Sequence, residues 1–363
     1  MIKNVIFWYF KEFFPDMEVY PSNLDIPQIV KSFTVSKRKR ALKNKLKTIK
    51  ILDPSVGTGR FLLYISKLLL KIKKELNPSR NISTLKKEII KYNLYGFDID
   101  EKSCIITKIK LLKWLFQDEW NLNDAKILNF QILNDLIEQK DIKLNIYNSD
   151  FLLRSFGTQK FDIVIGNPPY VENKKISDKK YKKILYNEFK SAYKLFDLSI
   201  LFIEKSIGLL KDSNSLLSFI LQNKFLSAEY GSKVREFILN SCQVKNIINL
   251  SNINLFKGVS AYPIVLTLKK GNSGNKNLIE LVSYEDFNFE NQSNLRIQQF
   301  SQSLIQKLPK KVIPIEGNPE MVLSLYKSFN SMEREIKDLR IIYRPYGFLN
   351  YKKYLKNFSS KKI

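Results

Sequence analysis

The stretch Asp162-Ile163-Val164-Ile165-Gly166-Asn167-Pro168-Pro169-Tyr170 holds the most specific chemistry in the chain. A buried apolar strand runs into an asparagine followed by two prolines, which lock φ and restrict the residue before them. In so rigid a turn Asn167 Oδ1 and the Pro168 carbonyl can both accept from one planar –NH2 group. Two acceptors on its protons draw that nitrogen towards tetrahedral geometry and localise its lone pair. An exocyclic amine then becomes a nucleophile through positioning and electrostatics, without a histidine or a lowered pKa. Tyr170 can stack on a flat substrate, worth about 1 kcal/mol beyond burial. The plainer reading of the same residues is a rigid turn that closes a strand.

A second group of residues suits a small ligand with a cationic end. Asp53-Pro54-Ser55-Val56-Gly57-Thr58-Gly59-Arg60-Phe61 reads as a strand, a two-glycine turn and a helix. In a doubly wound sheet that turn lies at the carboxyl edge, where ligands bind. Gly57 and Gly59 permit close backbone approach and positive φ. The third glycine of a dinucleotide site is missing. Asp53 would repel a pyrophosphate and favour a sulfonium-bearing amino acid. Gly96-Phe97-Asp98-Ile99-Asp100 ends the next strand with an acid suited to ribose hydroxyls. Its distance from Asp53 is well beyond the usual separation of about 20, which an inserted helix explains. Asp100 reads as a helix N-cap. Asp150, after Asn148 and Ser149, stands at a third strand end.

These residues need a framework, and the patterning supplies one. Buried strands are predicted at Thr48–Asp53, Asn93–Asp98, Phe161–Gly166, Leu216–Leu221, Val244–Leu250 and Tyr262–Leu268. Helices are predicted at Arg60–Leu76, Thr84–Tyr92, Glu101–Phe116, Phe196–Leu210 and Tyr230–Leu239. Strands alternating with helices indicate an α/β fold with a parallel sheet. The expected division is a helical segment over 1–46, a catalytic domain over 47–270 and a further region over 271–363, with Gly271–Lys276 as the linker.

Composition narrows the chemistry. The chain of 363 residues carries 61 Lys and Arg against 35 acids, a formal charge of +26, and contains no histidine. Ser-His and Cys-His catalysis and His-ligated metals are therefore excluded. The two cysteines, Cys104 and Cys242, stand too far apart for a zinc knuckle, so no metal site is expected. They fit a reducing, cytoplasmic setting. No apolar run approaches the roughly 18 residues of a membrane span, and no membrane partner is expected. The charge favours a polyanionic partner, although a Lys-rich composition from an AT-rich genome would also produce it. Part of the charge is local. Lys31–Lys50 has nine Lys or Arg and no acid, and Val171–Lys194 has eight Lys against three acids. Ile341–Ile363 interleaves six cations with six aromatics, a pattern suited to phosphate contacts and base stacking.

Taken in order, Asp53–Phe61, Gly96–Asp100, Asn148–Phe151 and Gly166–Tyr170 resemble the motifs of S-adenosylmethionine-dependent amino-methyltransferases. The resemblance is closest to gamma-type N6-adenine DNA methyltransferases of restriction–modification systems, including the Type IIG enzymes. It continues through Tyr193–Asp197, Asn223–Leu226, Tyr230-Gly231 and Leu255–Val259, and covers about Asn23 to Lys270. Asp25–Val30 occupies the place of the family's Thr-Pro segment.

The resemblance implies a Rossmann-like, mostly parallel seven-stranded sheet followed by a partial DNA-recognition region. It implies that Asp53, Pro54, Gly57, Thr58 and Gly59 surround the methionine part of S-adenosylmethionine. Asp98 would hold the ribose and Asp150 the adenine amine of that cofactor. Asn167, Pro168, Pro169 and Tyr170 would form the catalytic turn that receives a flipped adenine. The family's second aromatic falls on Tyr230, with Phe225 as the alternative. The implied partner is double-stranded DNA, with a separate specificity or restriction subunit as a further candidate. The same turn also serves enzymes that methylate a release-factor glutamine or a guanine of ribosomal RNA, and a non-catalytic DNA-binding remnant is the remaining reading. The 52 residues before Asp53 are too few for a nuclease domain, so this chain alone is expected not to cleave DNA.

Overall fold

A computed structural model of the chain describes residues 1–13, 36–117, 138, 142–251, 262–271, 277–284, 295–315 and 319–335. Three of the sequence features above lie outside these residues: Asp25–Val30, Leu255–Val259 and the aromatic, basic stretch Ile341–Ile363.

The apolar runs form the strands β1 (Ile51–Asp53), β2 (Leu94–Asp98), β3 (Ile146–Asn148), β4 (Ile163–Gly166), β5 (Leu216–Gln222), β6 (Cys242–Asn249) and β7 (Pro263–Lys270). Two more, β8 (Leu278–Tyr284) and β9 (Leu295–Ser301), complete one sheet of order β3-β2-β1-β4-β5-β7-β6-β8-β9. The expected seven strands are therefore nine. β8 pairs parallel with β6, and β9 pairs antiparallel with β8. The sheet thus runs past position 271, where the recognition region was expected to begin. Ile279 and Leu281 of β8 and Phe300 of β9 are buried in the same core as β5 and β7.

Strand alternation splits the core between two faces. Ile51, Ile163, Ile165 and Leu216 point to one face, while their neighbours Leu52, Val164 and Leu217 point to the other. The first face is covered by α1 (Ile2–Phe13), α2 (Ser36–Thr48), α3 (Arg60–Leu76) and α5 (Glu101–Phe116), with the short α4 (Ile82–Glu88) beside them. The second face is covered by α7 (Leu198–Leu209) and α8 (Ser232–Ser241), after the loop helix α6 (Lys179–Glu188). Two further helices, α9 (Gln302–Lys307) and α10 (Pro319–Glu335), follow β9.

Helix α3 buries Leu62, Ile65, Leu69, Ile72 and Leu76, the stripe expected of an amphipathic helix, and stops at Asn77 before Pro78. The predicted helix over Thr84–Tyr92 is instead α4 followed by a wider π-type turn over Ile89–Asn93. The described residues before β1 pack against the sheet. Val5, Phe10, Leu42 and Leu46 share a core with Ile51. Asp162, buried before β4, accepts from Tyr9 Oη (3.0 Å), Lys45 Nζ (2.9 Å) and the Lys50 N–H (2.9 Å). No helix among the described residues is long and apolar enough to cross a membrane.

Candidate active site

Parallel pairing of β3, β2, β1 and β4 brings their carboxyl ends to one edge. Asp53, Asp98, Asn148 and Gly166 are the last residues of those four strands. Asp53 is fully buried. Its Oδ1 accepts from the Ser55 N–H at 3.1 Å, and its Oδ2 is buried without a partner. Burial, with the Asp98 charge adding to it, lifts the Asp53 carboxyl to about 8. Pro54 is buried beside it.

The glycine turn is fastened on both sides. The Val56 N–H donates to the Phe97 carbonyl at 2.9 Å, and the Gly57 N–H donates to Asp98 Oδ2 at 2.8 Å. Thr107 Oγ1 donates to the Gly57 carbonyl and Lys110 Nζ to the Thr58 carbonyl, both at 2.8 Å, so α5 clamps the turn. Gly59 adopts φ 75°, and a Cβ there would stand 2.8 Å from Thr107. At Gly57, with φ 49°, the space a Cβ would occupy is open.

Asp98 also accepts from the Asp100 N–H at 2.9 Å, so both carboxylate oxygens are fixed with lone pairs to spare. Asp100 caps α5 through the Ser103 N–H, as its position suggests. Ile99, between them, is 76% exposed. Asp150 Oδ1 accepts from the Leu152 and Leu153 N–H groups at 2.7 and 3.3 Å, and burial, with the Asp150 carboxylate adding to it, raises the pKa of the Tyr181 hydroxyl.

At the end of β4 the Tyr170 hydroxyl donates to Asn167 Oδ1 at 2.6 Å, and Ser55 Oγ donates to the Asn167 carbonyl at 3.1 Å. Asn167 and Pro169 are exposed, whereas Pro168 is buried. One hydrogen bond orients the Asn167 amide and leaves Oδ1 a second lone pair. Burial raises the pKa of Tyr170 and of Tyr230, and Asp197 raises both further. Asp197 therefore lies within electrostatic reach of both rings. It caps α7 through the Ser199 N–H at 2.9 Å, and burial raises its own pKa.

Tyr230 is partly buried at the rim of the core, while Phe225 is 1% exposed within it. Of the two aromatics expected to face a base, Tyr230 is thus the one with accessible surface. The loop that carries both is pinned by Arg235, whose buried guanidinium donates to the carbonyls of Phe225, Ala228 (2.8 Å) and Lys310 (2.9 Å).

The basic loop after the turn is a docked element. Its ends join where the Leu198 N–H donates to the Val171 carbonyl (2.9 Å) and the Asn173 N–H to the Phe196 carbonyl (2.8 Å). Leu185 and Phe189 bury themselves in the core. Lys174, Lys175, Lys179, Lys180, Lys183 and Lys190 remain exposed on it. Lys194 Nζ meets Glu229 at 2.7 Å and so ties this loop to the one bearing Tyr230.

The glycine turn, the strand-end acids and the Asn-Pro-Pro-Tyr turn lie together at one edge of an α/β sheet of the Rossmann-like fold found in S-adenosylmethionine-dependent methyltransferases. Residues 92–256 match the Eco57I restriction-modification methylase family, and the chain resembles restriction–modification methyltransferases beyond that stretch. It is 27% identical over 74% of its length to the Type II restriction enzyme and methyltransferase RM.Eco57I of Escherichia coli. It is 31% identical over 62% of its length to the Type II methyltransferase M.BstVI of Geobacillus stearothermophilus. It spans only 29% and 38% of those two proteins. The modification subunit of a putative type I restriction enzyme from Vibrio vulnificus shares the fold (TM-score 0.51, 15% identity), with 79% of this chain and 60% of that one covered.

S-adenosylmethionine is the cofactor this family and fold imply. The residues fit it. The orphaned Asp53 Oδ2, the open face of Gly57 and the braced Asp98 carboxylate would offer, in turn, an acceptor for the cationic methionine end, a close backbone approach and an acceptor for the ribose hydroxyls.

Several positioning residues were not singled out by the sequence. Thr107 and Arg235 lie far along the chain from the groups they hold, and nothing local marks them. Ser55 lies inside the glycine motif, where its hydroxyl had no assigned partner. Asp197 carries the local signal of an N-cap in Asp-Leu-Ser, which conceals its electrostatic influence on Tyr170 and Tyr230.

Proposed function

We propose that this chain transfers a methyl group from S-adenosylmethionine to the exocyclic N6 amine of an adenine in double-stranded DNA, as the modification activity of a restriction–modification system. The observation that carries the reading is the coupling of the two half-sites: Ser55 of the glycine turn holds Asn167 of the amine turn at 3.1 Å. A methyl donor bound at one turn would then lie beside an amine held at the other, which is what supports the reading.

When bound, the cofactor supplies an electrophilic methyl group on a sulfonium. Asp53 Oδ2 faces the cationic methionine end, and Asp98 accepts from the ribose hydroxyls. Asp150 would accept from the cofactor's adenine amine. Asn167 Oδ1 and the Pro168 carbonyl accept the two protons of the target amine and localise its lone pair for in-line attack. Tyr170 and Tyr230 stack on a base that has left the duplex, since the amine cannot reach the donor from within the stack. The exposed lysines of the 171–194 loop contact phosphates around the emptied position. Sequence recognition falls to the region beyond β9, completed by a separate specificity subunit.

The test is transfer of labelled methyl groups by the purified chain to duplex DNA, to ribosomal RNA and to a release-factor peptide in parallel. Label confined to DNA supports the reading. Label on the peptide or the RNA moves the substrate to one of the other planar amides or amines. No transfer and no cofactor uptake would leave a DNA-binding remnant.

A further inference from the structure

At the amino edge of the sheet, opposite the catalytic edge, α2, the end of α3 and α4 enclose a concavity of ≈ 370 Å³. Arg40, Lys43, Lys47, Lys73, Arg80 and Glu88 line it, five cations with a single carboxylate. That carboxylate is committed: Arg80 grips Glu88 through two hydrogen bonds of 2.8 and 3.0 Å. Among the described residues no carboxylate pairs with Arg40, Lys43 or Lys47.

Lys73 is the unusual member, because it is only 5% exposed. Its Nζ donates to Asn93 Oδ1 at 2.8 Å, and Asn93 is oriented by donating its own Nδ2 to the Ile49 carbonyl at 2.8 Å. An amide neutralises no charge, so the ammonium keeps an electrostatic demand that its hydrogen bond does not meet. Burial pushes its pKa down to about 8, with Glu88 opposing and Arg80 and Lys47 adding to the fall.

Helix ends account for only part of this charge. Lys47 and Lys73 lie in the last turns of α2 and α3, where the helix dipole favours cations. Arg40 and Lys43 lie further back along α2, and Arg80 lies in the α3–α4 connection. Cations converging from three elements onto one hollow repel each other, and an anion in the hollow relieves that repulsion.

We propose that this concavity is a binding site for a compact polyphosphate, of the size of a nucleoside triphosphate, separate from the cofactor and base sites. Its volume lies in the range of about 300–1,000 Å³ typical of small-ligand pockets. Helix α3 spans 17 residues, about 25 Å, between the glycine turn and this hollow. A duplex engaged at the catalytic edge therefore does not cross it. The cations also surround a cavity and do not form the stripe that tracks a nucleic-acid backbone.

Calorimetry on the full chain with tripolyphosphate and with ATP tests the site, with Lys43→Glu/Lys47→Glu as the variant. Both anions should bind saturably, and the double variant should bind them about tenfold or more weakly. Its circular dichroism and S-adenosylmethionine affinity should match the wild type. Tighter binding of ATP than of tripolyphosphate would assign contacts to the nucleoside as well as to the phosphates. Absence of saturable binding, equal binding by the variant, or competition by duplex DNA alone would overturn the proposal.

Discussion

Oδ1 of Asp53 stands 2.8 Å from the position a Cβ would take on Gly166. The buried acid of the glycine turn and the last residue of the strand before Asn167 therefore share one space, and only glycine at 166 leaves room for both. Asp53 is fully buried, so it cannot swing outwards to make way.

Gly166→Ala should disturb the cofactor pocket although position 166 touches no cofactor in this account. An overpacked methyl costs about 1–3 kcal/mol, which predicts S-adenosylmethionine affinity about tenfold weaker or worse. Titration by calorimetry checks it, and unchanged affinity would show that Asp53 plays no part in cofactor binding.

Asp53→Asn separates burial from function through pH. The folded pKa of about 8 lies above the ordinary 3.8, so the folded state holds the proton more tightly than the unfolded state. Stability of the cofactor-free wild type should fall as pH rises from about 5 to about 8, while the variant lacks this contribution. Urea midpoints across that range provide the comparison. Parallel profiles would place the Asp53 pKa near its ordinary value.

Asp98→Ala removes the acceptor for the Gly57 and Asp100 N–H groups as well as the expected ribose contact. Hydrogen bonds to a charged acceptor contribute about 1.5–3 kcal/mol, so cofactor affinity should fall roughly ten- to hundredfold. DNA binding measured without cofactor should hold. A variant that loses both together would point to a collapsed edge.

Arg235→Met should destabilise the chain by about 2–4 kcal/mol, because it leaves the carbonyls of Phe225, Ala228 and Lys310 without their donor. The loop bearing Tyr230 is what this donor holds. In the surviving folded protein the KM for DNA should rise more than the KM for cofactor.

What the sequence made legible follows the range of its signals. The glycine turn, the strand-end acids and the Asn-Pro-Pro-Tyr turn are local, and their strands and helices form where the apolar spacing places them. Two kinds of feature were not legible. Strand β8 joins the sheet by pairing with β6, past β7 in the chain, β9 then pairs with β8, and 278–284 and 295–301 have no alternation strong enough to announce it. The contacts that tune the site, Ser55 to Asn167 and Thr107 to Gly57, depend on which loops the fold brings together. The loop 171–194 shows the same limit. Its lysines mark only a charged surface stretch, while Leu185 and Phe189 fasten it to the core.

The central claim is that Asn167 activates an adenine amine in DNA. The direct measurement is mass analysis of nucleosides from duplex DNA incubated with S-adenosylmethionine and either the wild-type chain or Asn167→Ala. The account predicts N6-methyladenine with the wild type and a loss of about a hundredfold or more with the variant, at unchanged cofactor affinity. N6-methyladenine formed equally by Asn167→Ala, or a methylated base other than adenine, would contradict it.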